Sequence, residues 1–92
     1  MSDLIDNASA HRFEMPVDGH TAFVTYRRGG DGVITLDHAE VPRVLEGRGL
    51  GSKLVRATLD QVRSEGLKVV PRCSFIRAFI ERNADYQDML AR

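Results

Sequence analysis

At 92 residues, 42% of them hydrophobic and 28% charged, residues 1–92 have the length and balance of a single globular domain, with a modest core and no room for two. Thirteen basic residues against thirteen acidic ones give zero net charge, so no overall field draws the chain to nucleic acid or to an anionic membrane. The lone cysteine excludes an internal disulfide, and there is neither an apolar run of about 18 residues nor a basic-then-apolar leader, so a cytoplasmic protein is expected.

Residues 1–10 are mostly small and polar and read as a loose segment or an edge. Strand-like stretches follow at 11–17, 20–28 and 32–41. "DG" at 18–19 and "GGDG" at 29–32 separate them, the short Gly/Asp-rich breaks that make hairpin turns. The first half is thus an antiparallel meander. The period then changes. Leu50, Leu54, Val55, Leu59 and Val62 fall on one face of a helix and Lys53, Arg56, Asp60 and Arg63 on the other, with Gly66 placed to cap its C-terminus. "LKVVP" at 67–71 reads as a short strand buried on both faces. Ser74 is the expected cap of a second helix, which carries Phe75, Ile76, Phe79 and Ile80 as a core stripe and stops at Asn83. The tail from Ala84 adds a turn or a short helix. The expected fold class is α/β (α+β), in the order β-β-β-α-β-α, with a parallel β-α-β unit in the second half.

"EGRGLGSKLV" at 46–55 puts three glycines between a strand end and a helix start. The first amides of a helix lack intrahelical partners and carry partial positive charge. Glycines let an anion approach them, and Arg48 and Lys53 add charge, so pyrophosphate binding is one reading. A loop that only turns and packs is the other. A Walker loop fails, because Ser52 separates Gly51 from Lys53 and Glu46 stands where its first Gly belongs; a dinucleotide fingerprint fails at Ser52.

The spacing that fits is Arg/Gln-x-x-Gly-x-Gly/Ala at a helix start. Residues 46–51 resemble the coenzyme A loop of the GNAT superfamily of N-acetyltransferases, with Glu46 in place of the usual Arg or Gln. "HAEVP" at 38–42, "GRGLGSKLVRATLD" at 47–60, "GLKVVPRCSF" at 66–75 and "YQDML" at 86–90 together resemble its short, single-domain YjdJ-type branch. Two departures are local: Ser74 where a proline is common and Asn83-Ala84 where His-Pro is usual. The resemblance implies acetyl-CoA as co-substrate and an amine acceptor of unstated identity; no metal is expected, because three scattered histidines and one cysteine make no ligand pattern. It implies a coenzyme-binding set of Val41, Arg43, Glu46, Gly47, Arg48, Gly49, Leu50, Gly51, Ser52 and Lys53.

Four residues are candidates for chemistry. Cys73 follows Pro71-Arg72 and precedes a helix start, and a helix N-terminus and a guanidinium both favour a thiolate. It is read as an acyl-accepting nucleophile, a neighbour of the coenzyme sulfur, or a small buried hydrophobe. His38 and Glu40 share a strand face, where one could deprotonate an incoming ammonium or both could form a solvated rim pair. Tyr86 is the candidate proton donor to the departing thiolate, by resemblance to full-size relatives. Pro42 and Pro71 stand at or just past the ends of the two parallel strands and cannot donate ladder hydrogen bonds, so the strands are expected to splay there. The function expected is acetyl transfer to an amine by direct attack in a ternary complex. The alternative is a non-catalytic coenzyme A-binding or protein-interaction module of the same fold. A nucleic-acid module is disfavoured by the charge balance.

Overall fold

The structure is a computed structural model that describes residues 4–91; the expectations for residues 1–3 and for Arg92 lie outside the described residues. Five strands form one sheet in the order β1-β2-β3-β4-β5: β1 (Ile5–Asn7), β2 (Arg12–Val17), β3 (His20–Arg28), β4 (Val33–Glu40) and β5 (Lys68–Pro71). The first four pair antiparallel, and β4 and β5 run parallel because α1 (Leu50–Ser64) crosses between them. The N-terminal stretch supplies an edge, β1, on β2. The expected third strand is shorter at both ends than the pattern implied, leaving Gly32 and Val41 outside it.

Every fully buried strand residue lies on one face. Phe13, Val24, Ile34, Leu36 and Val69 join Leu54, Val55, Leu59 and Val62 of α1, and Ile76 and Ile80 of α2 (Ser74–Arg82), in one cluster. Both helices therefore cover the same side of the sheet, and the other side is open. This corrects the expectation for "LKVVP": Val69 is buried, but Val70 points to the open face and is 36% exposed. The outer edge of β5 is closed by the C-terminal segment, where Leu90 bridges Val69 and the Ala91 amide donates to the Val69 carbonyl at 2.9 Å. Ladder groups that would stand free at an edge are so satisfied.

The helix termini follow local rules. At the end of α1 the Gly66 amide donates to Arg63 (2.9 Å) and the Leu67 amide to Val62 (3.2 Å), the paired bonds of a Schellman stop, with Gly66 at φ +74. The expected Ser74 cap is displaced: Cys73 is the N-cap of α2 and gives no side-chain cap bond. Asn83 does end the helix, its amide nitrogen donating back to the Phe79 carbonyl at 2.7 Å. The tail forms a 3-10 segment, Ala84–Met89, tied to α1 where Arg63 meets Asp88 at 3.0 Å. No helix among the described residues is long and apolar enough to cross a membrane.

Candidate functional site

β4 and β5 separate early. Their register ends at Leu36 opposite Pro71, and the last bond across the pair runs from the Arg72 amide to the Leu36 carbonyl at 3.0 Å. From there β5 turns into α2, whereas β4 continues to Glu40 paired only with β3. Pro71 therefore stands where the strands part, and Pro42 lies well beyond the parting. The free edge of β4 faces the start of α1.

Between β4 and α1, a 3-10 turn (Arg43–Leu45) buries Leu45 and leads into the glycine loop. Gly47 and Gly49 hold φ of +83 and +70, left-handed backbone that a side chain makes costly. A Cβ at either would meet no atom within 4 Å, so backbone conformation, not crowding, selects glycine there. Gly51 differs. Its φ is ordinary, but a Cβ would come within 3.0 Å of Cζ of Phe75.

The first backbone amide of this segment to find a partner is that of Lys53, bonded to the Gly49 carbonyl at 3.3 Å. Among the described residues, the six amides from Gly47 to Ser52 make no hydrogen bond. Beside them lies an open cavity of about 440 Å³ lined by Ala39, Val41, Glu46, Gly47, Gly49, Leu50, Gly51, Ser52 and Phe75. The loop end presents amides and partial positive charge. Toward β4 the wall is apolar, made by Ala39, Val41, Leu50 and Phe75. An elongated molecule with an anionic group at one end matches both parts.

Seven of the ten expected binding residues line this cavity. Arg43, Arg48 and Lys53 do not. Arg48 instead reaches the turn between β2 and β3, where its guanidinium meets Asp18 at 2.8 Å; a pair this exposed contributes about 0–1 kcal/mol and yields readily to a stronger anion. Arg43 and Lys53 are exposed, without side-chain partners among the described residues. Glu46 borders the cavity, and its carboxylate has no ion-pair partner among the described residues.

Phe75 requires a correction. The spacing of the α2 stripe predicts core throughout, and Ile76, Phe79 and Ile80 are buried, but Phe75 is 41% exposed and forms cavity wall. Four apolar residues at 75, 76, 79 and 80 span a wider arc than the sheet covers, and the one in the first turn of α2 is left out. No local signal marks it, because the contact of Phe75 with Gly51 exists only in the packing of α2 against α1. Ala39 was also missed. It sits between His38 and Glu40, so alternation alone places it on their opposite face.

Which face that is depends on a bulge. Simple alternation from Ile34 and Leu36 would turn His38 and Glu40 toward the core. The register instead shifts between Thr25, opposite His38, and Tyr26, opposite Leu36, leaving Asp37 as the extra residue. Asp37 is clamped by Arg27 through two hydrogen bonds of 2.8 and 2.9 Å, and that contact holds its carboxyl below the usual range. Parity is then reversed: Ala39 packs on the core side, and His38 and Glu40 stand on the open face, 3.1 Å apart and more than half exposed. The structure brings this pair together one strand's thickness from the cavity.

Cys73 is half-buried at the head of α2, two residues before Phe75, and is not part of the cavity wall. The Arg77 guanidinium arches over the same turn to the Arg72 carbonyl at 3.1 Å. Tyr86 lies elsewhere. Its buried phenol donates to Asp60 at 2.7 Å and accepts from Arg56 at 3.3 Å, and burial, then the Asp60 carboxylate, raise its pKa. Asp60 is ten residues along α1 from Leu50, about 15 Å at 1.5 Å per residue. The structure does not bring Tyr86 to the cavity; its hydroxyl fastens the tail to α1.

Comparison with known proteins bears on this arrangement. Residues 12–89 match the family model for GCN5-related N-acetyl-transferases. Over 62 residues the chain is 36% identical to bovine Protein NATD1 and 34% identical to its zebrafish counterpart, a stretch covering 67% of this chain and 55% and 56% of those proteins. The chain thus spans little more than half the length of these relatives. Its fold superposes with a TM-score of 0.71 and 32% identity on the solution structure of a "GCN5-like putative N-acetyltransferase" from Staphylococcus aureus, covering 99% of this chain and 91% of that one.

Proposed function

The chain belongs to the GCN5-related N-acetyltransferase family, and from that premise we propose that it binds acetyl-CoA in the cavity beside the glycine loop and transfers the acetyl group to an amine. The observation carrying this reading is the row of six unpaired amides, Gly47 to Ser52, bordering a cavity that continues to the free edge of β4. The residues fit the co-substrate. The amides and helix N-terminus receive the pyrophosphate, and Arg48, Lys53 and Arg43 stand near enough in sequence to add charge. The unpaired edge of β4 offers backbone groups to the amides of the pantetheine arm.

When bound, acetyl-CoA supplies an activated acetyl group. The chain's own residues bind it, orient it and move one proton. The ammonium of the acceptor approaches from the open face, around the edge that β5 leaves free, and His38 or Glu40 accepts its proton, directly or through water. The neutral amine then attacks the thioester carbonyl, the C–N bond forms as the C–S bond breaks, and the amine's second proton passes to the departing coenzyme A thiolate. Cys73 forms no covalent link, and Tyr86 takes no part. Acetyl-CoA at a hundred times its dissociation constant adds roughly 2.7 kcal/mol, which should raise the melting temperature by about 10 °C or more in a domain this size. No shift with millimolar acetyl-CoA would refute the coenzyme reading. A shift with no acetyl transfer to any of a panel of amines would establish the alternative, a coenzyme A-binding module without turnover.

A further inference from the structure

Two residues that composition and periodicity leave unexplained explain each other. Gly51 lies in the first turn of α1 with ordinary φ, a position where alanine favours the helix and glycine weakens it. Phe75 is a large apolar side chain left 41% exposed at the head of α2. A single exposed apolar residue is common, but this ring rests against α1: its Cζ lies 3.0 Å from where a Gly51 Cβ would be. Glycine at 51 lets the ring close onto the backbone of α1. The same residue is wall for the cavity, beside Leu50, Ala39 and Val41.

We infer that Phe75, seated on Gly51, is the apolar surface against which the pantetheine arm of the coenzyme packs, and that it sets affinity for the arm separately from the loop's grip on the phosphates. The inference rests on the coenzyme reading above. The division follows from the wall itself. Its loop part is backbone amide, suited to an anion. Its far part is hydrocarbon and aromatic ring beside unpaired strand edge, suited to a chain of methylenes and amides. Covering the exposed two-fifths of a phenylalanine side chain is worth about three- to tenfold in affinity.

Two probes separate the parts: coenzyme A, and adenosine 3′,5′-bisphosphate, which lacks the arm. Calorimetric titration of Phe75→Ala should show coenzyme A weakened about three- to tenfold and the bisphosphate unchanged within about twofold. Phe75→Leu should fall between wild type and alanine for coenzyme A, and it serves alone if the alanine variant does not fold. Circular dichroism of both variants should match wild type, since the ring is outside the buried core. Equal weakening of both probes, or no weakening of either, overturns the inference while leaving the coenzyme reading standing. Wild-type protein that binds neither probe overturns both.

Discussion

Gly49 and Gly51 stand two residues apart, and alanine should act on them with opposite sign. At Gly49 φ is +70 and an added Cβ meets nothing within 4 Å. The cost of Gly49→Ala is therefore conformational, about 1–2 kcal/mol for an L-residue in left-handed backbone. The reduced freedom of the unfolded chain offsets about 0.4–1 kcal/mol of it, leaving a net loss near 1 kcal/mol. In a domain of this size that lowers the melting temperature by about 4–8 °C. At Gly51 the backbone is already helical, so alanine contributes up to about 0.8–1 kcal/mol of helix propensity. Against that stands the 3.0 Å contact with Phe75. The ring is 41% exposed and can swing toward the cavity, so Gly51→Ala should be neutral or slightly stabilising while narrowing the cavity. Thermal unfolding followed by circular dichroism, with and without acetyl-CoA, measures both. Gly49→Ala should melt early. Gly51→Ala should melt at or above wild type and gain less from acetyl-CoA than wild type does. If Gly51→Ala proves the less stable of the two, Phe75 cannot yield as argued, and the account of both glycines fails.

Other expectations are more direct. Glu46→Arg replaces the unpaired carboxylate at the cavity mouth with a cation and should tighten acetyl-CoA binding about three- to tenfold at low salt, less at high salt; weaker binding in a calorimetric titration would show that Glu46 faces away from the phosphates. Both tyrosines of the chain have raised pKa values: burial, then Asp6, acts on Tyr26, and burial, then Asp60, acts on Tyr86. A raised phenol stabilises the fold fully below its unfolded value near 10.0, and that contribution is lost as pH climbs through the folded value. Phenolate absorbance should accordingly show no titration near pH 10 before unfolding begins, and an ordinary phase there would mean that one of the two hydroxyls is solvated. Cys73→Ala should retain turnover within about threefold, because direct attack by the amine needs no acyl-accepting thiol; an acetyl adduct on Cys73, seen by intact mass in the absence of acceptor and formed as fast as turnover, would overturn direct attack.

Much of this protein was legible in its residues because the signals are local. The periodicity of Leu54, Val55, Leu59 and Val62 specifies α1 and its buried face, since a helix repeats every 3.6 residues whatever surrounds it. Gly66 stops α1 through bonds within five residues, and the Gly/Asp breaks between strands need only their own dihedrals. The loop from Glu46 to Ser52 was equally readable, because the backbone that Gly47 and Gly49 require is set by hard-sphere sterics at those positions. What the sequence could not determine depends on partners far along the chain. The bulge at Asp37, which turns His38 and Glu40 to the open face, exists only in the pairing of β4 with β3. The exposure of Phe75 follows from where α2 lies over the sheet and from Gly51, 24 positions earlier. Arg48 finds Asp18, and Tyr86 finds Asp60, through contacts 30 and 26 residues apart. Alternation and helical period state which side chains share a face. They do not state which face another element will cover, because that is decided by the packing of whole elements and not by the geometry of one.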